Sequence, residues 1–225
     1  MTKMFTFNGK RMKTWNPFTG CAFACSYCWA RKLAEGKLRR SYPNGFVPEF
    51  HLNRLVHKFQ PDDFVFAVSM GDIAFANIKQ RRMIAERAST FPCPVLFETK
   101  DPWIFEGEIF RNPAFYLGVT LETNRSYPVT RAPSPLERYI KIQSGSFLIR
   151  FVSIEPIMDF DLNVFLRWLG HIQPEIVEIG ADNYHNNLPE PDSGKLNIFI
   201  REIKGFVPNV ILKQGIERFG IRGLI

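Results

Sequence analysis

Six short runs, at residues 64–69, 94–99, 115–121, 148–154, 176–179 and 210–212, carry apolar residues almost without interruption. Strands covered on both faces have this pattern, whereas half-exposed strands alternate, so the runs predict a parallel sheet. Between them, residues 76–89, 135–143, 162–171 and 196–204 have helix-like composition, with Ser134-Pro135, Asp161 and Ser193 as helix starts. The succession is strand, helix, strand, helix. Right-handed crossovers then give either a doubly wound sheet or all or part of a barrel, and periodicity leaves both open.

In either architecture ligands gather at the carboxyl ends of the strands. Those ends are polar: Ser69-Met70-Gly71-Asp72, Glu98-Thr99-Lys100, Glu122-Thr123-Asn124, Glu155-Pro156 and Asp182-Asn183. One polar loop is ordinary surface, but recurrence at five strand ends points to a site. Residues 183–194, with three Asn, two Pro and a Gly, form a long loop that is either a lid or a connector.

With 225 residues and 45% hydrophobic content, one domain spanning 1–225 is expected. No apolar run reaches the roughly 18 residues that cross a bilayer, and the start lacks a signal-peptide pattern. The expectation is a cytoplasmic protein without membrane contact. The formal charge of +7 attracts anionic partners such as nucleic acid, although it also serves solubility alone.

Four cysteines are present, three of them within eight residues, and Cys93 stands apart. This grouping suits a metal in a reducing compartment better than disulfides. Residues 15–34 read WNPFTGCAFACSYCWARKLA, spacing the cysteines C-x3-C-x2-C. Thiolates select soft metals. A structural zinc would need a fourth ligand, for which His51 and His57 are candidates. A cubane iron–sulfur cluster on three cysteines leaves one iron open.

C-x3-C-x2-C with an aromatic before the last cysteine, here Tyr27, resembles the signature of the radical S-adenosylmethionine (SAM) superfamily. Trp15-Asn16-Pro17, Ser69-Met70-Gly71-Asp72, Leu117-Gly118-Val119 with Glu122, Ser153-Ile154-Glu155-Pro156 and Lys213-Gln214-Gly215 are similar to motifs of a short, poorly characterised phage and bacterial branch. Many members of that branch space the first two cysteines farther apart; this loop has the common superfamily spacing.

The resemblance implies a parallel-stranded partial (β/α)6 TIM-type barrel, with the cluster loop at its open top and residues 14–16 adding a strand or capping an edge. It implies that Cys21, Cys25 and Cys28 hold one 4Fe–4S cluster that binds SAM. Reductive cleavage would give a 5′-deoxyadenosyl radical that abstracts hydrogen from a substrate. An oxygen-sensitive centre and an electron donor such as flavodoxin or ferredoxin follow. Tyr27 would lie against adenine. Ser69, Met70, Gly71 and Asp72 would receive the SAM amino group, with Asp72 otherwise a helix cap or turn. Thr120 and Glu122 would lie near the ribose. Ser153 and Glu155 would serve SAM or substrate, unless Glu155 is simply a buried carboxylate paired with Lys100 or Lys213. Gly180-Ala181-Asp182 either packs beside adenine or makes a turn.

Arg31, Lys32, Lys37, Arg39 and Arg40 follow the cysteines in a basic helix and its exit, a phosphate-contacting surface or a solvated face. Phe23, Trp29, Trp103 and Tyr184 are candidates for stacking on bases. The leading expectation is a radical SAM enzyme acting on nucleic acid or a nucleotide. The alternatives are one acting on a peptide or small metabolite, a non-catalytic zinc or iron–sulfur nucleic-acid-binding protein, and a relative that keeps the cluster for electron transfer.

Overall fold

The computed structural model describes residues 6–7 and 10–221. The start of the chain, read above as lacking a leader, lies largely outside them. In chain order the elements are β1 (Thr6–Phe7), β2 (Lys10–Trp15), β3 (Phe18–Thr19), α1 (Trp29–Glu35), β4 (Glu49–Phe50), β5 (Phe64–Ala67), α2 (Ile78–Ala88), β6 (Val95–Thr99), β7 (Phe115–Thr120) and α3 (Pro135–Ser144). They continue with β8 (Phe151–Ile154), α4 (Leu162–Ile172), β9 (Ile176–Ile179), α5 (Ser193–Lys204) and β10 (Asn209–Leu212).

Seven strands pair in parallel in the order β2-β5-β6-β7-β8-β9-β10 and curl into a half-barrel flanked by helices. β1 adds antiparallel to β2 at one edge, and β3 pairs with β4 separately. All six apolar runs hold a strand. The segment before the cysteine loop supplies a full six-residue strand, longer than the 14–16 contribution expected. No helix among the described residues is long and apolar enough to cross a membrane.

The two sheet faces differ as a period of two requires. Val65, Ala67, Val95, Phe97, Leu117, Val119, Val152, Ile154, Val177 and Ile179 face outward into the main core, against Ile84, Phe165, Leu169, Phe199 and Ile203 of the helices. The concave face is apolar at its lower end, where Met12, Phe64, Leu96, Phe151 and Ile176 cluster with Phe66, Tyr116 and Ile211. Two residues further along the same strands, that face carries Glu98, Ser153, Glu178 and Lys213. The site begins at this change from apolar to polar.

Helix starts follow local side chains. Asn77 and Gln80 form a capping box on α2, and Ser134 and Glu137 form one on α3 ahead of Pro135. α5 begins at Ser193, the start expected, where Asp192 accepts from Lys195 N at 2.8 Å. Asp161 stands at the start of α4 but makes no capping bond; its carboxylate accepts from Arg125 at 2.6 Å. The run at 148–154 becomes a strand only at Phe151, since Arg150 is forked onto Glu175 at 2.5 and 2.9 Å below it.

Candidate active site at the mouth of the half-barrel

The cysteine loop leaves β2 and is fixed to the sheet by backbone. Gly20 N donates to Met70 O at 2.9 Å, and Asp72 N donates to Gly20 O at 3.2 Å. A Cβ on Gly20, whose φ is +81°, would stand 2.0 Å from Val47 O, so only glycine fits. Asn16 Oδ1 accepts from Met70 N at 2.8 Å and from Ser69 Oγ at 3.2 Å. Farther along, Ser26 N donates to Val129 O at 2.9 Å and Arg131 N to Phe23 O at 2.7 Å. The loop is clamped from two sides.

Cys21, Cys25 and Cys28 are free thiols on this loop. Phe23, Cys25 and Tyr27 are buried against Cys21, Cys28, Ala74, Phe75, Val129, Ala132 and Leu188. Cys21 Sγ accepts from Phe23 N and Cys28 Sγ from Arg31 N, both at 3.4 Å, while Cys25 Sγ lies 3.1 Å from Thr130 Oγ1. Burial pushes the Cys21 and Cys28 thiols up, so as free side chains they stay protonated. Among the described residues, no group of three or more His, Cys, Asp or Glu is gathered as a metal site. The donor chemistry nonetheless fits a soft metal: three thiols on one loop, backbone N–H groups on two sulfurs and an apolar wall. His51 bonds Thr19 Oγ1 at 2.8 Å through Nε2, and His57 bonds Arg54 O at 2.9 Å through Nδ1. Cys93 is buried in the main core.

Tyr27 joins the loop to the sheet. Its hydroxyl donates to Glu122, whose carboxylate also receives Lys100 and, at 2.7 Å, Arg138. Burial alone would raise the Glu122 pKa, but the Arg138 and Lys100 charges outweigh it and hold the group well below the carboxylate range. Arg138 comes from α3 and is only 1% exposed.

Asp72 accepts three hydrogen bonds from protein, one of them the cap of the short turn that follows. It accepts from Ala74 N at 2.9 Å, Thr99 Oγ1 at 2.6 Å and Lys100 N at 3.0 Å. Ser69 and Met70 are buried in the turn after β5, where Val68 takes the left-handed conformation. Gly71 lies against Gly20, a Cβ there coming within 2.8 Å of its carbonyl oxygen.

Deeper on the concave face, Thr120 Oγ1 donates to Glu98 Oε1 at 2.7 Å and Ser153 Oγ donates to Glu178 Oε1 at 2.9 Å. Lys213 Nζ donates to Glu155 and lies 3.6 Å from Glu178. Of the two cations considered for Glu155, Lys213 is therefore the partner, and Lys100 goes to Glu122. Gly180 makes room, since a Cβ would come within 2.6 Å of the Glu155 side chain. Burial, then the Glu178 charge, push the Glu98 pKa up to about 7.

The 183–194 loop closes beside α1. Asp182 accepts from Asn186 N at 2.6 Å, Lys32 reaches Asn186 Oδ1, and Asn183 Nδ2 donates to Gln214 O at 2.7 Å. Trp29, Trp103 and Tyr184 are exposed, whereas Phe23 is buried and unavailable for stacking.

Sequence reading missed Arg138 and Glu178 as site residues. Glu178 is a carboxylate between apolar residues in the 176–179 run, a legible signal; Arg138 in its amphipathic helix carries none. Comparisons with known protein families, curated proteins and solved structures return no match to this chain.

Proposed function

We propose that the protein is a radical SAM enzyme, and that the curled sheet is a partial (β/α)6 TIM-type barrel extended by one strand. The observation that carries this reading is a C-x3-C-x2-C loop at the carboxyl ends of a parallel half-barrel, tied through Tyr27 to Glu122. Cys21, Cys25 and Cys28 would hold the 4Fe–4S cluster. When bound, that cluster supplies the electron that cleaves SAM to a 5′-deoxyadenosyl radical.

The chain's own residues prepare the setting. Gly20 and Gly71 bring two backbones together beneath the cysteines, and Asn16 holds the Ser69-Met70 turn. Tyr27, fixed by Glu122, would lie against adenine. Thr120 and Ser153 orient the Glu98 and Glu178 carboxylates on the chamber wall. Phe23, Val129, Ala132 and Leu188 keep water from the loop. An external reductant such as flavodoxin or ferredoxin would be the electron donor.

The reading of nucleic acid or a nucleotide as substrate rests on the outer rim. Lys37, Arg39 and Arg40 line an open depression with Gly36 just beyond α1. The same rim favours the second reading, a zinc or iron–sulfur nucleic-acid binder without catalysis.

Anaerobic reconstitution should give about four irons and four sulfides per chain, the content of one cubane. With dithionite and SAM, the loaded protein should release 5′-deoxyadenosine. A fully reconstituted sample that leaves SAM intact would overturn the proposal. Stoichiometric zinc that iron does not displace, with no SAM affinity, would instead establish the second reading.

A further inference from the structure

Three carboxylates, Glu98, Glu155 and Glu178, stand on the concave face near one ammonium, that of Lys213. Lys100 acts on Glu98 only at a distance, since its ion pair, with that of Arg138, goes to Glu122. With all three ionised, the belt would carry more negative than positive charge where low polarizability makes an uncompensated charge costly. Thr120, Ser153 and Lys213 supply the hydrogen bonds to Glu98 Oε1, Glu178 Oε1 and Glu155 Oε2.

One acceptor is left over. Glu178 is 5% exposed and its Oε2 is buried without a hydrogen-bond partner; among the described residues only Arg31 Nε shares that condition. Such an atom destabilises the folded chain unless a donor reaches it. Glu178 lines a cavity of about 20 Å3 with Glu98, Lys213, Met12, Phe66, Leu96 and Phe151. That space matches one water-sized group.

We propose that this cavity is a subsite for a compact cationic nitrogen, the ammonium head of a primary amine carried by the substrate. Glu178 Oε2 accepts one of its N–H bonds, and the surplus carboxylate charge balances its charge. The apolar floor of Met12, Phe66, Leu96 and Phe151 excludes water below it. Among the described residues the carboxylates are not gathered into a metal-ligand set, so a nitrogen cation suits the belt better than a metal ion. Phosphate has no place at this depth; an anionic portion of the substrate would stay at the Lys37–Arg40 rim.

The inference rests on reading the concave face as the substrate chamber of the proposed enzyme. Its test needs neither cluster nor SAM, so failure here leaves SAM cleavage standing, and failed SAM cleavage leaves this binding intact. The full chain is titrated calorimetrically with butylammonium, with butan-1-ol as its neutral match in size, and with butyltrimethylammonium as a cation too bulky for the cavity. Butylammonium should bind saturably and at least about tenfold more tightly than either, the loss expected when a charge-assisted hydrogen bond is removed. Glu178→Gln and Glu98→Gln should each weaken it by about the same factor. Circular dichroism checks that both variants remain folded, and exposed Glu202→Gln should bind as the parent does. Equal binding of the amine and the alcohol, no saturable binding, or parental affinity in both folded belt variants would overturn the assignment. The first two results would mean that the cavity takes water only.

Discussion

The Tyr27 hydroxyl donates to the Glu122 carboxylate, linking a residue between two cysteines to the end of β7. Glu122 also neutralises Arg138 and Lys100, so the pair carries unequal weight. Glu122→Ala leaves two cations without their counter-charge, and the expected loss is about 3–5 kcal/mol. Tyr27→Phe leaves both ion pairs and removes one hydrogen bond, costing about 1.5 kcal/mol. Urea unfolding midpoints should fall in that order.

Glu122 also shapes the acid limb of stability. Its folded pKa is held below the unfolded value of about 4.3, so its contribution is present above that pH and is lost as pH falls toward the folded value. Unfolding free energy measured from pH 6 down to pH 3 should decline, and the decline should be shallower in Glu122→Gln.

Glu98 works with the opposite sign. Its pKa of about 7 lies above the unfolded value, so between about pH 4.5 and 7 the folded state binds the extra proton and stability falls as pH rises. The groups facing it are Glu178, Lys100, Lys213 and the Thr120 hydroxyl. Glu98→Gln should flatten this limb in urea melts between pH 5 and 8. A parallel slope in parent and variant would show that another group is responsible.

Gly20 and Gly107 both have positive φ, but only Gly20 faces a close neighbour; at Gly107 a Cβ meets nothing within 4 Å. Gly107→Ala should therefore cost only backbone strain, about 1–3 kcal/mol for a conformation (φ 103°, ψ 166°) that is almost exclusive to glycine, and Gly20→Ala clearly more. Comparing the two by chemical denaturation separates strain from the loss of close approach between the cysteine loop and β5.

Cys21→Ser, Cys25→Ser and Cys28→Ser should each prevent retention of a full complement of iron and sulfide after reconstitution. Cys93→Ser should retain it, because that thiol lies in the main core. Iron and sulfide analysis of the four variants is the measurement.

Strand positions and helix succession were legible because buried parallel strands write themselves as apolar runs, and all six runs hold strands; the order of the strands in the sheet was not. Helix ends were less so: whether Asp161 caps its helix depends on Arg125, a residue 36 positions away that takes its carboxylate. At the site, the cysteines and the polar strand ends stand out in the sequence. Which carboxylate meets which cation does not, since Lys100 reaches Glu122 from the adjacent strand and Lys213 reaches Glu155 across β9 only through the register of the sheet. The hold of Thr99 and two backbone N–H groups on the Asp72 carboxylate is likewise set by the fold and is not legible in the sequence.

The backbone clamps on the cysteine loop, to Met70 and Asp72 on one side and to Val129 and Arg131 on the other, have a thermodynamic consequence. In a zinc finger, metal capture and folding are one event, and a chelator unfolds the domain. Here the ordering entropy of the loop is settled when the sheet forms. Stripping a bound metal should thus leave the circular dichroism spectrum and the cooperative unfolding transition nearly unchanged, and the affinity of the cysteines for metal would reflect coordination alone.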